Sequence, residues 1–218
     1  MQFIPVWLSK KIKKDGFTCG HSSPIYTLHF DDKTLFSPNT EEPEFVSFVT
    51  RVLLHLNSST LHSFYLFASS HDSYSCFVTA WISAVLSQKV QKLNLVYDGN
   101  FILCSRFLFD CKFLVELELC LPKCILKIPA SVFLPYLKLL NLLDITLVSD
   151  TDSSSHRKEL VLSFPVLKLF KSYDCEWLMH NVCLKLPLLE QLWFDTARSS
   201  VSSTCSIKFY TSCLRLQL

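Results

Sequence analysis

A short apolar pattern recurs along most of the chain and constrains its fold more than any other feature. It has three apolar positions, the second lying three residues and the third five residues after the first. Four clear copies and three looser copies begin at Val90, Leu114, Leu137 and Leu189, and at Ile25, Leu61 and Leu167. Successive starts are 36, 29, 24, 23, 30 and 22 residues apart. A series this regular indicates stacked structural repeats.

Three of the copies share a second feature, a proline two residues before the first apolar position. These prolines are Pro135, Pro165 and Pro187. Because proline cannot donate a hydrogen bond to a sheet, it suits the loop that enters a strand. The pattern predicts one strand of about four residues per copy, stacked in parallel and burying alternate side chains. The later steps mostly fit the period of roughly 20–29 residues that is typical of leucine-rich repeats.

The segments between the predicted strands differ in character. Residues 43–56 and 77–86 carry apolar residues at the three-to-four spacing of an amphipathic helix, and Pro43 suits a first helical turn. Residues 148–159 show no apolar periodicity. We therefore predict two helices and one insertion loop, which accounts for the 30-residue step.

Composition excludes several classes of protein. Half of the residues are apolar, which argues against intrinsic disorder. The formal charge of +2 is too small for a nucleic-acid-binding surface. Only three glycines are present and none lies in a phosphate-binding turn, so dinucleotide-binding and P-loop folds are excluded.

The ten cysteines have no CxxC spacing and form no zinc-finger pattern with histidine. We predict that most are buried free thiols, which suits a reducing compartment; a disulfide framework is the alternative. The N-terminal apolar run precedes the basic cluster, unlike that of a signal peptide, and no uncharged, apolar stretch is long enough to span a membrane. These features predict a soluble intracellular protein, cytoplasmic or nuclear, with no membrane partner.

Sequence segments between residues 25 and 195 resemble the leucine-rich-repeat region of plant F-box/LRR proteins of the FBD-containing type. The segments that carry the resemblance are IYTLHFDDKTLF, EFVSFVTRVLLHLNSSTLHSFYL, AWISAVLSQKVQKLNLVY, LFDCKFLVELEL, IPASVFLPYLKLLNL and FPVLKLFKSYDCEW. Together with the repeats, it implies an α/β fold: a short leucine-rich-repeat solenoid with parallel strands on the concave face and irregular helical or loop return segments. It also implies the substrate-recognition part of a ubiquitin-ligase subunit.

We divide the chain into three regions. Residues 1–24 are an N-terminal remnant or linker, and residues 25–198 are an array of about seven coils with the insertion loop at 148–159. Residues 199–218 are either a degenerate last coil or a non-native tail. The first 24 residues show neither the Leu-Pro start nor the helix-sized apolar face of the family's F-box, and the FBD module is not visible. We therefore do not expect direct docking of a ligase adaptor.

The same alternation predicts where a partner would bind. If the apolar positions of each strand face the core, the intervening residues lie on the concave face. The candidate partner-binding residues are Lys92, Asn94, Glu116, Glu118, Leu139, Asn141, Leu143, Leu169, Lys171, Tyr173, Gln191 and Trp193.

The middle of this set is apolar, as interface hot spots are. The alternative is that the C-terminal segment or the 148–159 loop covers these residues and makes them core. Glu116 and Glu118, beside Lys92, could pair with a basic partner or could be solvated.

No catalytic, metal-binding or cofactor-binding pattern is visible. His180 and Cys183 are close in sequence but fall between repeats, and Asp31 and Asp32 follow a predicted strand, where aspartate favours turns. We predict a non-catalytic protein-binding module that uses no cofactor and binds no nucleic acid. The alternatives are a truncated, non-functional fragment and, from a different class, a cysteine-dependent hydrolase.

Overall fold

A computed structural model describes residues 12–14, 25–32, 42–55, 60–68, 74–104, 106–150, 159–179, 181–195, 206–211 and 216–217. Three helices have described bounds: α1 Glu42–His55, α2 Ser75–Ser87 and α3 Arg106–Asp110. None of the helices within these residues is long and apolar enough to cross a membrane.

The largest sheet collects one strand from every copy of the repeat. Its members, in spatial order, are β1 Ile12–Lys14, β2 Ile25–Asp31, β3 Thr60–Ala68, β4 Lys92–Tyr97, β6 Glu116–Cys120, β9 Leu139–Leu143, β12 Leu169–Tyr173, β15 Gln191–Phe194 and β17 Leu216–Gln217. All neighbouring pairs are parallel except β1 and β2. Equivalent repeat positions are paired, so that Leu117 lies opposite Leu140 and Leu140 opposite Phe170. The predicted parallel strands of an α/β fold are confirmed.

Two smaller parallel sheets complete the later part of the fold. One contains, in order, β5 Phe101–Cys104, β7 Cys124–Ile128, β10 Thr146–Ser149 and β13 Glu176–Leu178. The other contains β8 Ser131–Phe133, β11 Leu160–Ser163, β14 Asn181–Lys185 and β16 Ser206–Tyr210. The expectation that the return segments are irregular helices or loops is therefore wrong after β4, where most returns run through short strands. Alternate buried residues in β7, namely Cys124, Leu126 and Ile128, show the strand pattern that was overlooked.

The first two returns are helical, as the sequence predicts. The predicted helices at 43–56 and 77–86 are confirmed as α1 and α2, with ends shifted by one or two residues. The buried face of α1 includes Val49 and Val52. It packs on α2, where the Trp81 indole nitrogen donates a hydrogen bond to the Thr50 hydroxyl at 3.0 Å and the ring lies 6.1 Å from that of Phe45.

One continuous hydrophobic core fills the space between the sheets. A small apolar cavity of about 20 Å³ lies where the three sheets meet. Its lining includes Leu119 from the largest sheet and, from the two smaller sheets, Leu126, Leu162 and Trp177. The volume is about that of one water molecule and the lining is apolar, so this cavity is a packing gap and not a ligand site.

The prolines that mark the repeats lie in turns before the strands, as predicted. In two cases the turn is closed by a backbone hydrogen bond, from Leu167 to the Phe164 carbonyl and from Leu189 to the Leu186 carbonyl, both at 3.3 Å. Pro165 and Pro187 thus take the second position of a β-turn, where the fixed φ of proline is favourable.

Ser172 explains the one repeat copy that lacks its third apolar residue. The residue is fully buried on β12, and its hydroxyl accepts a hydrogen bond of 3.2 Å from the indole nitrogen of Trp177. A leucine at this position would leave the buried indole N–H without this acceptor. The departure from the repeat pattern is therefore compensated within the core.

The structure adds detail to the insertion loop and to both ends of the chain. The loop predicted to begin at residue 148 begins later, because Val148 and Ser149 belong to β10 and pair with β7. Residues 151–158 lie outside the described residues. The region 1–24, expected to be a remnant or linker, contributes β1 to the edge of the largest sheet. In the tail, β16 and β17 pair in parallel with β14 and β15.

Adjacent leucines on β9 provide a test of the register. Leu142 is 5% exposed and faces the core, whereas Leu143 is 36% exposed on the opposite face. We expect Leu142→Ala to lower the free energy of unfolding by about 2–5 kcal/mol, because it removes buried atoms and leaves a cavity. Leu143→Ala should lower it by no more than about 1 kcal/mol. Urea denaturation followed by circular dichroism measures both, and equal losses would contradict the register.

The Ser172–Trp177 hydrogen bond provides a second test. We expect Ser172→Ala to lower the free energy of unfolding by about 1–3 kcal/mol, since the indole N–H loses its acceptor while buried. In the Ser172→Ala background, Trp177→Phe should then cost less than it does in the wild type. Ser163→Ala, a half-buried serine on β11, is the matched control and should change stability by less than about 0.5 kcal/mol. Additive losses in the double variant would show that the bond contributes nothing.

Candidate binding face

The twelve candidate residues all lie on one face of the largest sheet, which we call the outer face. They fall into rows that cross the strands, because paired residues of neighbouring parallel strands stand side by side about 4.8 Å apart. The first row is Lys92, Glu116, Leu139, Leu169 and Gln191. The middle row is Asn94, Glu118, Asn141, Lys171 and Trp193. The third row contains Val96, Cys120, Leu143 and Tyr173.

Burial follows the alternation that places these residues on the outer face. On β4, Leu93 and Leu95 are buried while Lys92 and Asn94 are only half-buried. The strands β6, β9 and β12 repeat the pattern. The inward set builds the core and the other set lies at the surface, so the predicted division between the two is observed.

The polar half of the outer face is held together by contacts within the chain. The Lys92 ammonium lies 2.8 Å from a Glu116 carboxylate oxygen. The hydrogen bond to Glu116 raises the pKa of Lys92, although burial acts in the opposite direction. The side-chain amide of Asn141 donates to Glu118 at 3.3 Å. Both glutamates therefore have partners on their own sheet, and their predicted role with a basic partner stays a prediction.

The other half of the face is apolar around a central lysine. We call Leu139, Leu143, Leu169, Tyr173 and Trp193 the apolar group. Register pairs Leu139 with Leu169, Leu143 with Tyr173, and Lys171 with Trp193, so that members of the group lie on both sides of Lys171. None of its five members is buried in the core. Residues 151–158 and most of the C-terminal segment, which the alternative places over this group, lie outside the described residues.

The rows continue onto β2 and β3 with residues outside the predicted set. His29 pairs with Tyr65, and its ring lies 6.0 Å from that of Tyr65 and 5.4 Å from that of Phe67. The repeat pattern could have identified His29, since it lies four residues after the start of its copy, as Asn94 does. The looser match of the Ile25 copy concealed it.

The six cysteines whose side chains the structure describes form no disulfide, and four of them are buried: Cys111, Cys124, Cys175 and Cys183. The prediction of buried free thiols is confirmed for this part of the chain. Burial raises the pKa of Cys111, Cys124 and Cys175, and it raises the pKa of Cys124 to about 12. Half-buried Cys120 on the outer face also has a raised pKa, owing to burial and to the negative charges of Asp144 and Asp98. These four thiols are protonated at neutral pH, which is unfavourable for a nucleophile.

The remaining candidates for chemistry do not assemble into a site. His180 lies outside the described residues, and Cys183 is buried within β14. Within the part of the chain that the structure describes, no three histidine, cysteine, aspartate or glutamate side chains are grouped so that they could hold a metal ion. Asp31 and Asp32 stand at the end of β2, as expected for residues that leave a strand.

Thiol reactivity tests the environment of Cys120. At pH 8 we expect iodoacetamide to modify exposed Cys76 well before Cys120. Asp144→Asn removes a negative charge that disfavours the Cys120 thiolate, so it should lower that pKa and speed the alkylation of Cys120. Asp110→Asn, on the exposed side of α3, should leave the rate unchanged. Peptide mass spectrometry follows each site, and faster labelling of Cys120 than of Cys76 would contradict this picture.

Comparison with known proteins identifies relatives for most of the chain. An F-box/FBD/LRR-repeat protein of Arabidopsis thaliana is 36% identical over 167 residues, which are 76% of this chain and 36% of the relative. An F-box protein of the same plant is 32% identical over 184 residues, or 79% of this chain and 33% of that protein. The chain therefore spans about a third of the length of these relatives.

No family model matches the chain, and no solved structure matches it. The two relatives carry in their names the F-box and, in one case, the leucine-rich repeats that the resemblance implied. The chain is a relative of the plant F-box/LRR proteins of the FBD-containing type.

Proposed function

We propose that this chain is a non-catalytic protein-binding module whose outer face docks a protein partner. In this proposal the array is a leucine-rich-repeat solenoid, and the outer face is its concave side. The observation that carries the proposal is the apolar group at the surface of the sheet, since aromatic and aliphatic side chains clustered among polar neighbours are typical of interface hot spots.

The position of the apolar group on paired strands supports the proposal. Its residues stand on β9, β12 and β15, which are held in parallel register by backbone hydrogen bonds. A rigid backbone lets a partner bind without ordering loops, so less of the binding free energy is lost to entropy. The flanking polar half, with its internal ion pair and amide contact, would form part of a polar rim.

The relatives suggest the setting in which such a face would act. Both are named F-box proteins, and F-box subunits present bound proteins to a ubiquitin ligase. We propose that the outer face corresponds to the substrate-recognition part of such a subunit. Because the chain spans about a third of these relatives, the link to a ligase is the part of the proposal that needs direct measurement.

A cysteine-dependent hydrolase is the less favoured function. It needs a thiolate near a histidine, whereas the pKa values of Cys111, Cys120, Cys124 and Cys175 are raised. A non-functional fragment would retain no specific partner, so the experiment that tests binding also separates this alternative.

Co-precipitation from plant tissue tests the outer face. We expect the full chain to recover a specific protein that Leu143→Arg fails to recover, because a charged side chain disrupts an apolar contact. Ile102→Arg is the matched control, since Ile102 is 57% exposed on β5 of a smaller sheet, away from the outer face. With the purified partner, calorimetry should show at least tenfold weaker binding for Leu143→Arg and no change for Ile102→Arg.

The composition of the precipitate then tests the link to a ligase. We expect the partner without the ligase adaptor and cullin, which indicates a stand-alone binding module. Recovery of all three would indicate that the chain joins a ligase. Equal recovery of the partner by both arginine variants would exclude the outer face, and the absence of any specific partner would favour a non-functional fragment.

A further inference from the structure

We propose that the segment docking on the outer face carries an acidic residue between two apolar residues, and that its carboxylate pairs with Lys171. This inference rests on the proposed function and adds the chemical class of the partner. The inference follows from the positive charge of Lys171, which lies among the residues of the apolar group.

Lys171 occupies the centre of the apolar group. Its direct neighbours across the sheet are Asn141 and Trp193. Leu169 and Tyr173 lie two residues away on its own strand, so their side chains point to the same face about 7 Å away. The diagonal positions, at about 7–8 Å, are those of Leu139 and Leu143 on β9, and of Gln191 and Asp195 on the other side.

Within the described part of the chain, the Lys171 side chain has no hydrogen bond or ion pair, unlike those of Lys92 and Lys168. Lys92 pairs with Glu116 at 2.8 Å and Lys168 with Glu190 at 2.7 Å. Glu118, on the same row, is two strands away and accepts from Asn141. The half-buried Lys171 side chain therefore has no partner among the described residues, and it stands beside Asn141 and Trp193 with leucine and tyrosine side chains at the next positions on β9 and β12.

Docking cannot bury the apolar group without also burying Lys171. An ammonium group removed from water without a partner is strongly unfavourable, whereas a carboxylate converts the same burial into a charge-assisted hydrogen bond. The face therefore selects a partner that supplies a negative charge at this point. A partner with a neutral residue there loses affinity, and one with a basic residue is rejected.

The spacing favours an extended segment. In an extended chain, residues i and i±2 project to the same side about 7 Å apart. This matches the separation of Lys171 from Leu169 and Tyr173 on β12. The expected pattern is an apolar residue, any residue, glutamate or aspartate, any residue, and a second apolar residue.

A peptide library tests the charge preference directly. The probe is an immobilised set of heptapeptides whose central residue is Glu, Gln or Lys and whose other positions are randomised. We expect the full chain to bind the Glu pool at least tenfold better than the Gln pool, with no binding to the Lys pool. Selected sequences should carry apolar residues two positions on either side of the glutamate.

Variants of Lys171 assign the preference to this side chain. Lys171→Met should remove the discrimination between Glu and Gln, and Lys171→Glu should shift binding to the Lys pool. Lys185→Glu, an exposed charge reversal on β14 of a smaller sheet, is the control and should keep the Glu preference. Circular dichroism of each variant establishes that the fold is unchanged.

Several outcomes would overturn the inference. Equal binding of the Glu and Gln pools, or a Glu preference that persists in Lys171→Met, would do so. A second outcome is that no pool binds and that a tissue partner loses binding to Leu143→Arg but not to Lys171→Glu. In that case the inference fails while the proposed function stands. A dimer in analytical ultracentrifugation that Leu143→Arg abolishes would make the occupant a second copy of the chain. A partner insensitive to both variants would overturn the inference and the proposed function together.

Discussion

The parallel register of the largest sheet is the constraint on which the remaining structure depends. A single repeat offers only two or three inward side chains and cannot bury them alone, so burial requires that each strand stack on the next in phase. Phe170 stands opposite Leu140 and Leu192 for this reason. A shift of one residue would carry Lys171 into the core and expose Phe170, and the cost of burying that charge holds the register.

The same register produces the candidate binding face. Because side chains alternate along a strand, burying one set forces the other into ordered rows at the surface. The rows are unequal along the array, with Glu116 and Glu118 engaged by neighbours at one end and half-buried or exposed leucine and aromatic side chains towards the other. The outer face is thus polar and internally paired towards one end and apolar towards the other.

Much of this could be predicted from the sequence, because the relevant signals are local. Apolar residues at period two or at three-to-four spacing predicted the repeat strands and the helices α1 and α2. The return strands were missed because runs of three to five residues carry too few alternations to distinguish them from loops. Val148 and Ser149 illustrate this, since they become strand residues by pairing with β7 and not through their own pattern. His29 was missed because its repeat copy is loose, although its offset is that of Asn94.

The sequence by itself determined which residues alternate between core and surface, and hence that the twelve candidate residues share one face. Only the tertiary structure decided which strands the return segments form and which side chains have partners. Ser172, a defect in the repeat pattern, acquires its role from Trp177 on another strand. Lys171 is distinguished from Lys92 only by what its neighbours across the sheet provide. The physical reason is that alternation is a property of one strand, whereas hydrogen bonds, ion pairs and burial depend on strands brought together from distant parts of the chain.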